Sequence, residues 1–174
     1  NQLISLDVSN NINLISFSCY NNQLTSLDVS NNTALNELDC FDNQLTSLDV
    51  SNNTILTAFA VRGNHLTSLD VSNNTALTGF DCGDNQLTAL DVSNNITLNE
   101  LECYGNLLTS LDVTQNTVLT WLECDDNQLI SLVRKTGLIG HAIFAAKTWI
   151  SPLVYNHVFL MCFRSGNREQ DGLN

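Results

Sequence analysis

Apolar residues recur along this chain in two short runs per 21 residues, and the pattern holds from Asn1 to Asp126 without insertion or deletion. In the first run a leucine, two polar residues, a second leucine, aspartate and valine follow one another, as at Leu24, Leu27, Asp28 and Val29. The second run keeps that spacing and ends in cysteine, as at Leu35, Leu38 and Cys40. In both runs the last two apolar positions are separated by a polar one, which predicts a short strand with one buried face. An asparagine-bearing turn closes each run. A strict period of this length predicts a stack of coils, not a fold wrapped around one central core. Copies begin at Asn1, Asn22, Asn43, Asn64, Asn85 and Asn106, and a seventh starts at Asn127 and breaks off after Leu132.

Read down equivalent positions, the copies predict continuous apolar ladders. Leu3, Leu24, Leu45, Leu66, Leu87, Leu108 and Leu129 form one, and Leu6, Leu27, Leu48, Leu69, Leu90, Leu111 and Leu132 a second. Leu14, Leu35, Leu56, Leu77, Leu98 and Leu119 form a third; Phe17, Leu38, Phe59, Phe80, Leu101 and Leu122 fill a fourth. With roughly 4.8 Å per rung, the six copies make a rod roughly 30 Å long. Two asparagine columns run beside these ladders, one from Asn11 to Asn116 and one from Asn22 to Asn127. Amides at turns bond backbone groups that the bend leaves unpaired, so both columns are expected to be fully bonded bridges between coils.

The stretch Leu35-Asn36-Glu37-Leu38-Asp39-Cys40-Phe41-Asp42-Asn43-Gln44-Leu45 matches L-x-x-L-x-L-x-x-N-x-L, with cysteine at the last strand position. It resembles the leucine-rich repeat family, and the nested 21-residue form looks like the bacterial subclass called IRREKO. The resemblance covers residues 1–132. It implies a mainly β leucine-rich repeat solenoid of six 21-residue coils with short parallel strands. It also implies an extracellular or cell-surface location in a bacterium. The family is defined by its scaffold, so the resemblance leaves the partner open.

Beyond Leu132 the repeat ends. Residues 133–174 are basic and aromatic-rich and are expected to form a C-terminal cap or tail, because an open solenoid end exposes its apolar seam. Lys147, Pro152, Asn156 and His157 interrupt the apolar part of this segment, so membrane insertion is not expected from a span that wants about 20 apolar residues. The chain starts inside a repeat at Asn1, with no initiator methionine or signal-peptide pattern, which reads as an excerpt or a processed form.

Charge narrows the partners. Residues 1–132 hold sixteen acidic side chains against one base, Arg62. Polyanion binding needs Lys and Arg to displace counterions, so nucleic acid is not expected as a partner. A protein or a glycan is. Cationic groups and metal ions remain open.

Three regular columns carry candidate chemistry. Cys19, Cys40, Cys82, Cys103 and Cys124 share one inward position, but Val61 occupies it in the third copy, which suits buried free thiols better than disulfides or metal ligands. Asp28, Asp49, Asp70 and Asp91 point outward in a row whose mutual repulsion must be offset. Calcium is one way to offset it, giving a calcium-dependent adhesin segment as an alternative, although no EF-hand loop is present. Neighbouring hydroxyls are another. Thr25, Thr46, Thr67, Thr88 and Thr109 form a hydroxyl row, and regular threonine arrays give a second alternative, an ice-binding protein. The adjoining carboxylates argue against it.

The two strand faces differ in variability. Outward residues of the first strand barely change between copies, whereas those of the second change at every step, with aromatic rings among carboxylates. Rings of this kind anchor many interfaces. The expected partner-binding face therefore centres on Tyr20, Phe41, Glu100, Glu102, Tyr104, Trp121 and Glu123. No nucleophile elbow, phosphate loop or zinc-protease motif occurs. His65 replaces a surface glutamine of the repeat, His141 and His157 lie in the tail, and Cys162 has no defined partner. The sequence thus points to a non-catalytic binding module with no cofactor and no catalytic or metal residues.

Overall fold

In a computed structural model the described residues are 1–133 and 143–145. The coils follow the sequence period: residues 1–21 form coil 1, and each later coil adds 21 residues up to coil 6 at 106–126. Each second run carries one short strand. These are β1 (Ser16–Ser18), β2 (Glu37–Asp39), β3 (Ala58–Ala60), β4 (Gly79–Asp81), β5 (Glu100–Glu102) and β7 (Trp121–Cys124). They pair in parallel, in exact repeat register, so that Phe17, Leu38, Phe59, Phe80, Leu101 and Leu122 lie beside one another. A further strand, β9 (Ile143–Ala145), joins the sheet beside β7 and makes it seven-stranded. The rest of the segment expected to cap the rod lies outside the described residues.

The first runs behave differently. A strand was expected in every copy, but only β6 (Ser110–Asp112) and β8 (Ser131–Val133) form one, as a separate two-stranded pair. In coils 1 to 5 the first run is extended yet bonded to its neighbour at its start only, as where the Gln44 N–H donates to the Leu24 carbonyl. The ends of the segment are bonded elsewhere. The Leu24 N–H donates to the Asn43 side chain, and the Val29 carbonyl accepts from the Asn32 N–H and from the Asn53 amide. Alternation decides which side chains face inward; it does not by itself bring the backbones of neighbouring first runs into a ladder, and Leu108, at the start of the run that does form β6, is bonded to Asn127 in the same way.

The core follows the apolar columns. Leu24, Leu35, Leu38, Leu45, Leu56, Leu66, Leu77, Leu87, Leu98, Leu101 and Leu108 are fully buried. Coil 1 departs from the expected ladders: Leu3 and Leu6 are exposed, and Leu14 and Phe17 only half-buried, because no coil covers their outer side. Both asparagine columns are buried in the interior coils, but their bonding is unequal. Asn43, Asn64, Asn85 and Asn106 use both ends of the amide. Asn32, Asn53, Asn74, Asn95 and Asn116 donate to two carbonyls each, but their side-chain oxygens have no partner. The expectation that both columns are fully bonded therefore holds for one of them.

One position per coil has a left-handed backbone: Asn21, Asp42, Gly63, Asp84, Gly105 and Asp126 all have φ between 47° and 63°. Only glycine and short polar side chains tolerate this conformation readily, which accounts for the restricted alphabet at the turn after each second run.

Candidate interaction face

The seven-stranded sheet presents its polar side outward in three rows. One row runs Ser16, Glu37, Ala58, Gly79, Glu100, Trp121, and the next Ser18, Asp39, Ala60, Asp81, Glu102, Glu123. Just past the strands runs a third: Tyr20, Phe41, Arg62, Gly83, Tyr104, Asp125. All seven residues expected to bind a partner fall on this one face.

The third row is a continuous contact. Tyr20 and Phe41 stack with ring centres 4.5 Å apart. The Arg62 guanidinium lies over the Phe41 ring at 4.7 Å. Its other neighbours are Asp81, at 3.6 Å, and Tyr104, whose side chain helps to raise the Arg62 pKa. Tyr104 reaches Arg62 across Gly83, where an added Cβ would come within 2.6 Å of the ring. Tyr104, one of the residues expected on the binding face, is half-buried, and burial raises its phenol pKa above the ordinary range. Tyr20 and Trp121 are the more exposed rings, at 45% and 37%. The contacts among Arg62, Asp81, Gly83 and Tyr104 were not read from the sequence. Each looks like one more variable surface residue until the coils bring them together.

Asp81 is set apart from the other carboxylates. Burial pushes its pKa up to about 6, the Gly83 N–H bonded to it pulls the other way, and Glu102 adds repulsion. Between coils 1 and 2, the Ser16 hydroxyl donates to Glu37 and the Ser18 hydroxyl to Asp39.

The regular columns lie elsewhere. Asp28, Asp49, Asp70 and Asp91 are exposed, and each accepts the N–H of the serine two residues on, as Asp28 does from Ser30 at 2.9 Å. Bonds from that serine's side chain and backbone hold these carboxylates below their ordinary pKa. Each aspartate therefore closes a turn, and hydroxyl and N–H donors offset the repulsion within the row. Thr25, Thr46, Thr67, Thr88 and Thr109 are all exposed in one row beside them. The five cysteines are buried free thiols whose pKa burial raises, to about 11 at Cys19 and about 12 at Cys124, so they stay protonated at neutral pH. Among the described residues no cluster of three His, Cys, Asp or Glu could hold a metal ion, and no helix is long and apolar enough to cross a membrane.

Comparison with solved structures decides the fold. The chain is similar to the functional domain of InlJ from Listeria monocytogenes, whose structure includes a cysteine ladder, with 38% identity and a TM-score of 0.55. That match covers 75% of this chain and 38% of the other. The fold is a leucine-rich repeat solenoid. An internalin from the same organism, InlF, matches 82% of this chain and 50% of its own at 22% identity, TM-score 0.64. A leucine-rich repeat protein of Leptospira interrogans matches 74% of this chain and 38% of its own at 23% identity, TM-score 0.65. This leucine-rich repeat chain thus spans half or less of the length of each of these structures. No family model matches it, and no curated protein does. This chain also carries a column of five buried cysteines.

Proposed function

We propose that this leucine-rich repeat solenoid is a non-catalytic interaction module that engages a protein or glycan through the outer face of its seven-stranded sheet. The observation that carries this reading is the contrast between faces. The first runs repeat nearly the same Thr, Ser and Asp at every coil, while the sheet face differs at every coil and gathers four aromatic rings among carboxylates. A scaffold surface tolerates repetition; recognition of one partner needs individual side chains. The contact residues proposed are Tyr20, Phe41, Glu100, Glu102, Tyr104, Trp121 and Glu123. The Tyr20–Phe41–Arg62 stack gives the face rigid aromatic surface that loses little entropy on binding. The internalin neighbours support a bacterial cell-surface or secreted setting, and residues 133–174 fit a role in closing the end of the rod. The repeat arrangement fits the nested 21-residue bacterial subclass.

The test is a pull-down with the intact chain and with a Tyr104→Ser, Trp121→Ser double variant. The double variant is expected to lose the partner that the intact chain retains. Equal recovery by both would overturn the assignment of this face.

A further inference from the structure

We infer that the partner is a protein that seats an extended lysine- or arginine-bearing segment in a shallow trough over coils 3 and 4. This rests on the reading of the sheet face just given and deepens it. Two rows define the trough. Glu37, Ala58, Gly79 and Glu100 are register neighbours across four strands, as are Asp39, Ala60, Asp81 and Glu102. In both, coils 2 and 5 carry long or acidic side chains and the coils between them carry mostly small ones. The walls stand three rungs apart, roughly 14 Å at the spacing of parallel strands, which is room for one extended chain with its side chains.

Gly79 carries the argument furthest. Its backbone is not left-handed, and an added Cβ would meet nothing within 4 Å. The other described glycines have structural reasons: Gly63 and Gly105 hold left-handed turns, and Gly83 lies under Tyr104. Glycine within a strand weakens it, and is often found where a ligand or another backbone comes close. At Gly79 neither a turn nor packing within the chain calls for glycine, and the space above the strand is open to an approaching backbone.

Charge names the occupant. Carboxylates stand on both walls, and Asp81 lies in the floor. Among the described residues Arg62 is the one Lys or Arg side chain, and it is already engaged by Asp81, Phe41 and Tyr104. Serine hydroxyls from coil 1 hold Glu37 and Asp39, so one wall is oriented before anything binds. An anionic segment would be repelled, and a purely apolar one would strip water from the carboxylates without offering them an opposite charge. A cationic segment meets acceptors on each side.

Fluorescence anisotropy with a labelled peptide of alternating lysine and serine, about eight residues long, tests this against a glutamate–serine twin. The full chain is expected to bind the lysine peptide, less tightly as salt rises, and not the glutamate peptide. Gly79→Tyr and Ala58→Tyr, which fill the outward-facing floor of the trough, are each expected to weaken binding about tenfold or more, as is the Glu37→Gln, Glu100→Gln pair. An Asp49→Asn, Asp70→Asn pair removes as much charge from the other face and is expected to stay within about twofold of the parent. Failure of the parent chain to bind the lysine peptide, unchanged binding by both tyrosine variants, or an equal loss in the Asp49 and Asp70 pair would each overturn the trough. The broader reading fails separately. A pull-down partner kept by Gly79→Tyr but lost by the Tyr104, Trp121 variant overturns the trough alone, whereas one kept by that variant overturns the face.

Discussion

Asn64 and Asn74 are the same residue type, both buried, one in each asparagine column, and their amides do different work. The Asn64 side chain donates to the carbonyls of Cys40, Val61 and Arg62 and accepts the Leu45 N–H at 2.9 Å. Asn74 donates to the carbonyls of Val50 and Asn53, and its oxygen has no partner. Those two carbonyls keep a second bond, from the N–H groups of Asn53 and Leu56, when the Asn74 amide is removed. The Leu45 N–H keeps none when Asn64 is removed. A buried donor left unpaired costs the full loss of its hydration, so Asn64→Ala should cost about 1–3 kcal/mol and Asn74→Ala less. Urea unfolding of the two variants checks the order, and a greater loss from Asn74→Ala would contradict it. The sequence shows two columns of amides; which backbone groups have no other partner depends on how the coils stack.

At the scale of the strands, β4 carries a carboxyl whose titration reports on the sheet face. Asp81 titrates near 6 in the folded chain, mainly because it is buried, against an ordinary value of 3.8. Its folded pKa is raised, so the folded state takes up the proton first. The ionised form therefore costs stability at neutral pH, and that cost is relieved as pH falls through about 6. The Asp28, Asp49, Asp70 and Asp91 row has the opposite sign. Its lowered pKa values mean that stability from those turns is kept above the ordinary carboxylate range and lost as pH falls below it. Asp81→Asn should melt higher than the parent at pH 7, by about 2–4 °C for each kcal/mol relieved, and the gap should close by pH 5. Thermal melts at the two pH values decide this. A constant gap would show that burial does not hold the carboxyl proton. The contrast between these aspartates was only partly legible: the sequence placed both sets outward, but only the sheet puts Asp81 among Arg62, Tyr104 and Glu102.

Along the coils of this chain, stability should rise from coil 1 towards the interior coils. Leu14 and Leu77 belong to one ladder, yet Leu77 is fully buried and Leu14 is half-buried at the end of the stack. Each coil touches only its neighbours, so a terminal coil lacks half of its packing partners. Leu77→Ala should cost about 2–5 kcal/mol, and Leu14→Ala distinctly less. Amide hydrogen exchange should show the same gradient, with protection rising from coil 1 towards coils 3 and 4. Uniform protection along the rod would show that the chain unfolds as one indivisible unit.

The sequence by itself determined the coil, its period and its inside. Leucine, valine and cysteine columns at a strict spacing leave one way to bury their side chains. It also singled out the variable face, because individuality among otherwise repeated copies is visible without coordinates. The tertiary structure decided the rest. It showed that among the described residues first runs pair as strands only at β6 and β8, and that the Tyr104 ring lies over Gly83 on the side of Arg62. It also set the bare Gly79 between acidic walls. These facts relate residues one or more coils apart, and their energies depend on distances across the stack that no local pattern encodes.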